Sequence, residues 1–372
     1  MIAKPILTAL LGAVLASTAP TVAAFATTYT YTDLGAGPTG KSAYGYAESL
    51  TTEAGTYFDH TISCGKDCSA KVYYPLAWAG SASPVVLLPQ FYVEGWAYGA
   101  GGQLIVGTLV TNNGGYFGYN HAAMWRGSTY AFTDLNPAGS CGSCQPGSNA
   151  YGTDGAHIAG SSGSPLHAFL WKLTQLQSPV DLNPAGASYS EAYAVRGNLQ
   201  AGYAFSSSAN ADHAFLWRGT AASAVDLTPS SIASAYATGI GTKTEVGCGT
   251  PVGMSVSHAL LWHNTAASMI DLQPTGFTDS CARAASGNVQ VGYADVIGQN
   301  TQHAILWNGS ASSAVDLQQY LPNTFAYSEA YAIDAKGAIV GSAYSTSTAT
   351  WHAVVWTPGP LRVRSRARRA IR

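Results

Sequence analysis

The sequence predicts an all-β chain, a seven-bladed β-propeller of four-stranded blades, on three observations. First, six pentads are nearly the same: His121–Trp125, His167–Trp171, His213–Trp217, His258–Trp262, His303–Trp307 and His352–Trp356. A degenerate seventh, Tyr74–Trp78, precedes them, and successive tryptophans lie 47, 46, 46, 45, 45 and 49 residues apart. Such a period marks an array of supersecondary units. Second, each unit holds four short apolar segments bounded by Gly, Asn, Ser or Pro, none long enough for a helix, which is the content of one propeller blade. Third, the two ends complement each other. The last unit stops at Trp356 without its fourth segment, and Tyr29-Thr-Tyr-Thr-Asp-Leu34 near the N-terminus supplies one.

The elements follow in order. The innermost strand of each blade is read at Ala43-Tyr44-Gly45, Gly95-Trp96-Ala97, Ala150-Tyr151-Gly152, Ala192-Tyr193-Ala194, Ala235-Tyr236-Ala237, Ala282-Arg283-Ala284 and Ala330-Tyr331-Ala332. Small residues suit the axis, where blades come closest. The second strand carries Gly107, Gly160, Gly202, Gly247, Gly292 or Gly341. The His-Ala-x-x-Trp pentad is the third strand. The fourth carries Asp-Leu, beginning at Asp33, Asp134, Asp181, Asp226, Asp271 or Asp316. Pairing the N-terminal segment with His352–Trp356 closes the ring and removes free sheet edges.

Residues 1–26 read as a signal peptide. Lys4 precedes the apolar run Ile6–Ala16, which is too short to span a bilayer, and Ala24-Phe-Ala26 fits a cleavage site. Residues 27–361 form one propeller domain. Residues 362–372 form a basic, disordered tail with six arginines. The propeller segment holds 19 acidic residues against 10 Lys and Arg, so the body is acidic and argues against nucleic acid as partner. Secretion or periplasmic location, no transmembrane span and a monomer are expected.

The His-Ala-Phe-Leu-Trp, Asp-Leu and Ala-Tyr-Ala pattern, clearest at His167–Trp171 and His213–Trp217, resembles the HAF-repeat family of extracellular bacterial repeat proteins. The resemblance covers about residues 74 to 356. It implies export and a repeat fold and brings no catalytic residues with it.

A residue repeated in every blade is architecture. His121, His167, His213, His258, His303 and His352 are therefore read as hydrogen-bonding within their own blades, and Trp125, Trp171, Trp217, Trp262, Trp307 and Trp356 as inter-blade core. No metal or cofactor is expected. Gly35-Ala-Gly-Pro-Thr-Gly40 matches a dinucleotide glycine pattern, but no helical segment follows it. Cys141-Gly-Ser-Cys144 has redox spacing without the βα context.

Function is sought where the repeat varies. The positions starting the inner strands place Glu94, Asn149, Glu191 and Glu329 at one channel mouth, with Trp96, Tyr151, Tyr193, Tyr236, Arg283 and Tyr331 two residues on. These are the candidate binding residues. The plainer alternative is that the rings pack between blades and the carboxylates are solvated. Disulfides are expected at Cys64–Cys68 and Cys141–Cys144, each pair within a loop, and at Cys248–Cys281, where Cys248 ends a second strand and Cys281 begins the next blade's inner strand, all towards that face. The expected function is a binding module for a protein or glycan. One alternative is a polysaccharide-active enzyme using two of the three glutamates. Another is a structural envelope protein with no small ligand.

Overall fold

The computed structural model describes residues 28–359, apart from 50–51, 66–67, 80–82, 114–115, 137–146 and 300. It does not describe the side chains at 39, 48, 62–70, 113 and 116–117. The signal segment, the basic tail and the Cys141–Cys144 pair lie outside the described residues, as do the side chains of Cys64 and Cys68.

Tyr29–Pro358 folds into seven antiparallel sheets of four strands. The innermost strands of blades 1 to 7 are Ala43–Ser49, Tyr92–Gly101, Ser148–Thr153, Ser190–Arg196, Ile232–Ile240, Phe277–Ser286 and Phe325–Ile333. In blades 1 to 6 the strands run outwards in chain order. Blade 4, for example, continues through Leu199–Ser206, Ala211–Trp217 and Val225–Asp226. Blade 7 takes its outermost strand from the N-terminal side. Tyr29–Gly35 pairs with Thr350–Pro358, with Tyr31 opposite Trp356 and Gly35 opposite Ala353. The ring closes as the complementary ends require. No helix among the described residues is long and apolar enough to cross a membrane.

The tryptophans explain why blades stack. Each is buried at the seam with the preceding blade. Trp217 of blade 4 packs with Ala159, Ala168, Leu170 and Leu182 of blade 3. Trp262 meets Leu216 and Leu227 of blade 4. Trp78 of blade 1 meets Ala353 of blade 7. Aromatic residues bury the most area per side chain, so one per seam suits a ring of thin sheets.

The repeated histidines are tied to the repeated aspartates. Nδ1 of His121, His167, His213, His258, His303 and His352 lies 2.7–2.9 Å from Oδ2 of Asp134, Asp181, Asp226, Asp271, Asp316 and Asp33. The same aspartates accept, through Oδ1, the backbone N–H two residues on, as Asp226 does from Thr228. Burial alone would raise the Asp33 and Asp134 carboxyls. The bonds from His352 and His121, and from the Gly35 and Asn136 N–H groups, outweigh it and hold both below the ordinary value. Blade 1 has Tyr74 in the histidine position and Val86 opposite Leu76, where blade 4 has Asp226 opposite Phe215. The two polar partners are lost together, as a pair would be.

One irregularity positions the channel. Every innermost strand carries a β-bulge, at Tyr46, Tyr98, Tyr151, Tyr193, Thr238, Arg283 and Tyr331. The residue before the bulge pairs opposite a second-strand glycine: Gly45 with Gly55, Ala97 with Gly107, Ala192 with Gly202, Ala237 with Gly247. The bulge swings a carbonyl onto that glycine. A Cβ there would collide with the oxygen of Tyr44, Trp96, Asn149, Glu191, Tyr236, Cys281 or Glu329. The repeated glycine is thus a condition for the bulge.

Candidate functional site

The bulges correct the sequence register in blades 1, 2 and 5. In blades 1 and 2 the small-aromatic-small pattern occurs twice, two residues apart, and in blade 5 Ala237-Thr238-Gly239 follows Ala235-Tyr236-Ala237; the bulge lies in the second copy each time. Tyr44, Trp96 and Tyr236 sit two residues before the bulge, level with Asn149, Glu191, Cys281 and Glu329. Tyr46, Tyr98 and Thr238 occupy the bulge and were missed. Glu94 falls two residues further out again, so it does not share a ring with Glu191 and Glu329. The missed residues were readable. In blades 1 to 6 the small residue before each bulge stands ten positions upstream of its glycine partner, a count that separates the two copies.

The bulge residues form a belt around the axis. Tyr331 and Tyr46 have ring centroids 5.0 Å apart, Tyr46 and Tyr98 6.0 Å, Tyr98 and Tyr151 5.7 Å, and Tyr151 and Tyr193 5.1 Å. Thr238 and Arg283 complete it. On one side a cavity of about 470 Å³ is lined by the belt, the C-terminal halves of the inner strands and the residues just after them, including Asp154, Arg196 and Asp334. On the side where those strands begin, a cavity of about 570 Å³ is lined by Tyr46, Tyr98, Tyr193, Tyr236, Thr238, Cys248, Arg283 and Tyr331. This is the mouth the sequence pointed to. Trp96 stacks on Tyr98 at 6.4 Å with planes 3° apart, and Tyr44 on Tyr46 at 6.2 Å and 8°.

The carboxylates are largely taken up by the protein. Glu191 accepts from the Tyr151 hydroxyl at 2.5 Å, Tyr203 at 2.8 Å and Ser161 at 3.2 Å. Asp212, which the sequence did not single out, accepts from Tyr189 at 2.8 Å and Tyr236 at 2.7 Å. Asn149 accepts from Thr108 and Asn120 across the seam of blades 2 and 3 and donates to Ser161 within its own blade. Glu329 is hydrogen-bonded by Tyr331, whose hydroxyl is pushed well above the ordinary range by burial first and by that carboxylate second. None of the three candidate glutamates lines the mouth cavity. Its one charged side chain is Arg283. Among the described residues, no group of three or more His, Cys, Asp or Glu side chains could hold a metal ion.

Glu94 is buried, and its Oε1 accepts the Tyr73 N–H at 3.2 Å. Burial pushes its carboxyl up to about 7, against the smaller opposing effect of that N–H. The folded protein therefore binds a proton between about pH 4.5 and 7 that the unfolded chain releases, so stability falls as pH rises through this window. Glu94→Gln is expected to remove that slope and to raise stability by about 1–3 kcal/mol at pH 8. Denaturant unfolding at pH 5 and pH 8 reads both, and unchanged pH dependence in the variant would refute the assignment.

Cys248 and Cys281 form a disulfide with Cα atoms 4.8 Å apart, joining blades 5 and 6 at the mouth. Cys248 lies within the second strand of blade 5, opposite Tyr236, and not at its end. Cys64 and Cys68 lie on the strands of the long blade-1 hairpin, Thr52–Gly65 and Cys68–Trp78, and not in a loop.

No protein-family model matches the sequence, and no curated protein matches it. Solved structures do. The β-propeller domain of the Trilobed protease from Pyrococcus furiosus aligns over 85% of this chain and 96% of that one, with TM-score 0.53 and 8% identity. Pyrococcus horikoshii acylaminoacyl peptidase aligns over 85% of this chain and 51% of its own, with TM-score 0.56 and 8% identity. The present chain thus spans about half the length of that peptidase. At this identity the likeness is one of fold. The Pyrococcus furiosus domain has an open velcro topology, whereas here Tyr29–Gly35 closes the ring.

Proposed function

We propose that this chain is an exported binding module of the HAF-repeat type that takes an oligosaccharide at the strand-entry mouth of its axial channel. The observation that carries the reading is the wall of the 570 Å³ cavity: five tyrosines, a threonine, an arginine and a disulfide cysteine, with no aliphatic side chain. Ring faces offer flat apolar surface for the C–H faces of a pyranose, and their hydroxyl edges offer hydrogen bonds. The intrachain disulfide fits an oxidising compartment. Binding is favoured over catalysis because Glu191 and Asp212 are each held by two tyrosine hydroxyls, which leaves them less free for acid–base work.

A glycan array probed with the purified propeller tests this. Tyr98→Ala and Tyr236→Ala are expected to weaken binding about tenfold, roughly 1.4 kcal/mol each. Binding unaffected by both would move the site away from the channel.

A second reading has its own observation. Phe91, Tyr119, Val252, Met254 and Ile297 are exposed; Tyr119 lies near the start of the strand Tyr116–Arg126, and the others lie on connections of the strand-entry face. Such a surface suits a protein partner, and an array with no glycan signal would favour it.

A further inference from the structure

The tyrosine belt departs from its rule at two bulges only, and these are neighbours: Thr238 in blade 5 and Arg283 in blade 6. The Cys248–Cys281 disulfide staples the same two blades beside them. Thr238 Oγ1 is committed across the seam to the Ala282 carbonyl at 2.6 Å. Where other blades fill the belt with a phenol ring, blade 5 has only this short side chain, next to the arginine.

Arg283 is held but not neutralised. Its guanidinium lies 5.1 Å from the Tyr293 ring centroid and 5.6 Å from that of Tyr331, so two aromatic faces orient it. Its Nε is buried without a hydrogen-bond partner. Among the described residues no carboxylate lies within ion-pair distance of it. A cation in a protein wall without a partner is costly, and its planar fork matches a carboxylate. The remaining acidic groups in this quarter, Asp279, Asp295 and Glu329, act on Tyr293. Their field disfavours a ligand group carrying two negative charges and tolerates one.

We propose that the ligand is an acidic oligosaccharide whose uronic-acid carboxylate pairs with Arg283 beside Thr238, its sugar ring resting on the tyrosine belt. The proposal rests on the glycan reading above and adds the ligand's charge. Three trisaccharides differing only in their terminal residue provide the test: glucose, glucuronic acid or glucose 6-phosphate, titrated calorimetrically into the intact disulfide-bonded protein. The glucuronate form is expected to bind at least tenfold tighter than the glucose form, and tighter than the phosphate. Arg283→Gln is expected to erase that preference, so that the glucose and glucuronate forms bind within about twofold of each other. Arg283→Tyr installs the side chain five other blades carry there, so it should fold and show the same loss. Equal binding of the glucose and glucuronate forms, a tighter phosphate, or an unchanged preference in both variants would overturn the carboxylate assignment alone. No binding of any of the three would overturn the glycan reading and this proposal with it.

Discussion

A chain lacking residues up to Gly35 is expected to lose its closed ring and to fail to fold as a soluble monomer. The missing segment supplies the whole outer strand of blade 7. Six of its residues are in register with Thr350–Pro358. At about 1 kcal/mol net for each backbone hydrogen bond, the ladder alone is a large share of a domain stability of ~5–15 kcal/mol. More is lost with it. His352 loses Asp33, leaving a ring nitrogen without its acceptor at 2.9 Å. Leu34 leaves the cluster around Trp78, and Tyr29 leaves the cluster around Trp356. The exposed edge of Thr350–Pro358 then offers a template for association. Size-exclusion chromatography and thermal unfolding of the truncated chain check this. A synthetic peptide of residues 28–36 added during refolding should restore part of the folded monomer. A truncated chain that stays monomeric with unchanged unfolding would show that closure is dispensable.

Gly202→Ala is expected to destabilise by about 3 kcal/mol, at the upper end of overpacking costs. The added Cβ collides with the Glu191 carbonyl oxygen and lies 2.8 Å from Ala192 Cα. Both obstacles are backbone, so no rotamer change relieves them. The inner strand can escape only by flattening its bulge, which would withdraw Tyr193 from the belt. Ligand binding should therefore fall along with stability. Gly186→Ala is the control: nothing lies within 4 Å of its Cβ, and only the positive φ of 85° opposes it, at about 1–2 kcal/mol. Urea unfolding of both variants decides the matter. Similar costs at the two positions would mean that the glycine opposite the bulge is not required.

Much of this molecule is legible without its coordinates. The tryptophan period, the four segments per unit and the complementary ends carry the blade count and the identity of the closing strand. They do so because a propeller repeats one packing problem seven times, and each solution leaves the same residues behind. The His–Asp pairing is visible in their joint loss from blade 1. The Cys248–Cys281 disulfide follows from placing two segments in neighbouring blades. Local pattern could not choose between two copies of small-aromatic-small offset by two residues, since alternation along a strand has period two. The ten-residue spacing to the second-strand glycine separates the copies in blades 1 to 6, and only the tertiary structure shows why: the bulge breaks that period and demands a glycine on the neighbouring strand. This register turns Tyr46, Tyr98 and Thr238 into the axis and moves Glu94 off it. It also leaves Arg283 as the one charged side chain lining the mouth cavity, while Glu191 and Asp212 accept from tyrosine hydroxyls that the packing of blades 3, 4 and 5 brings to them.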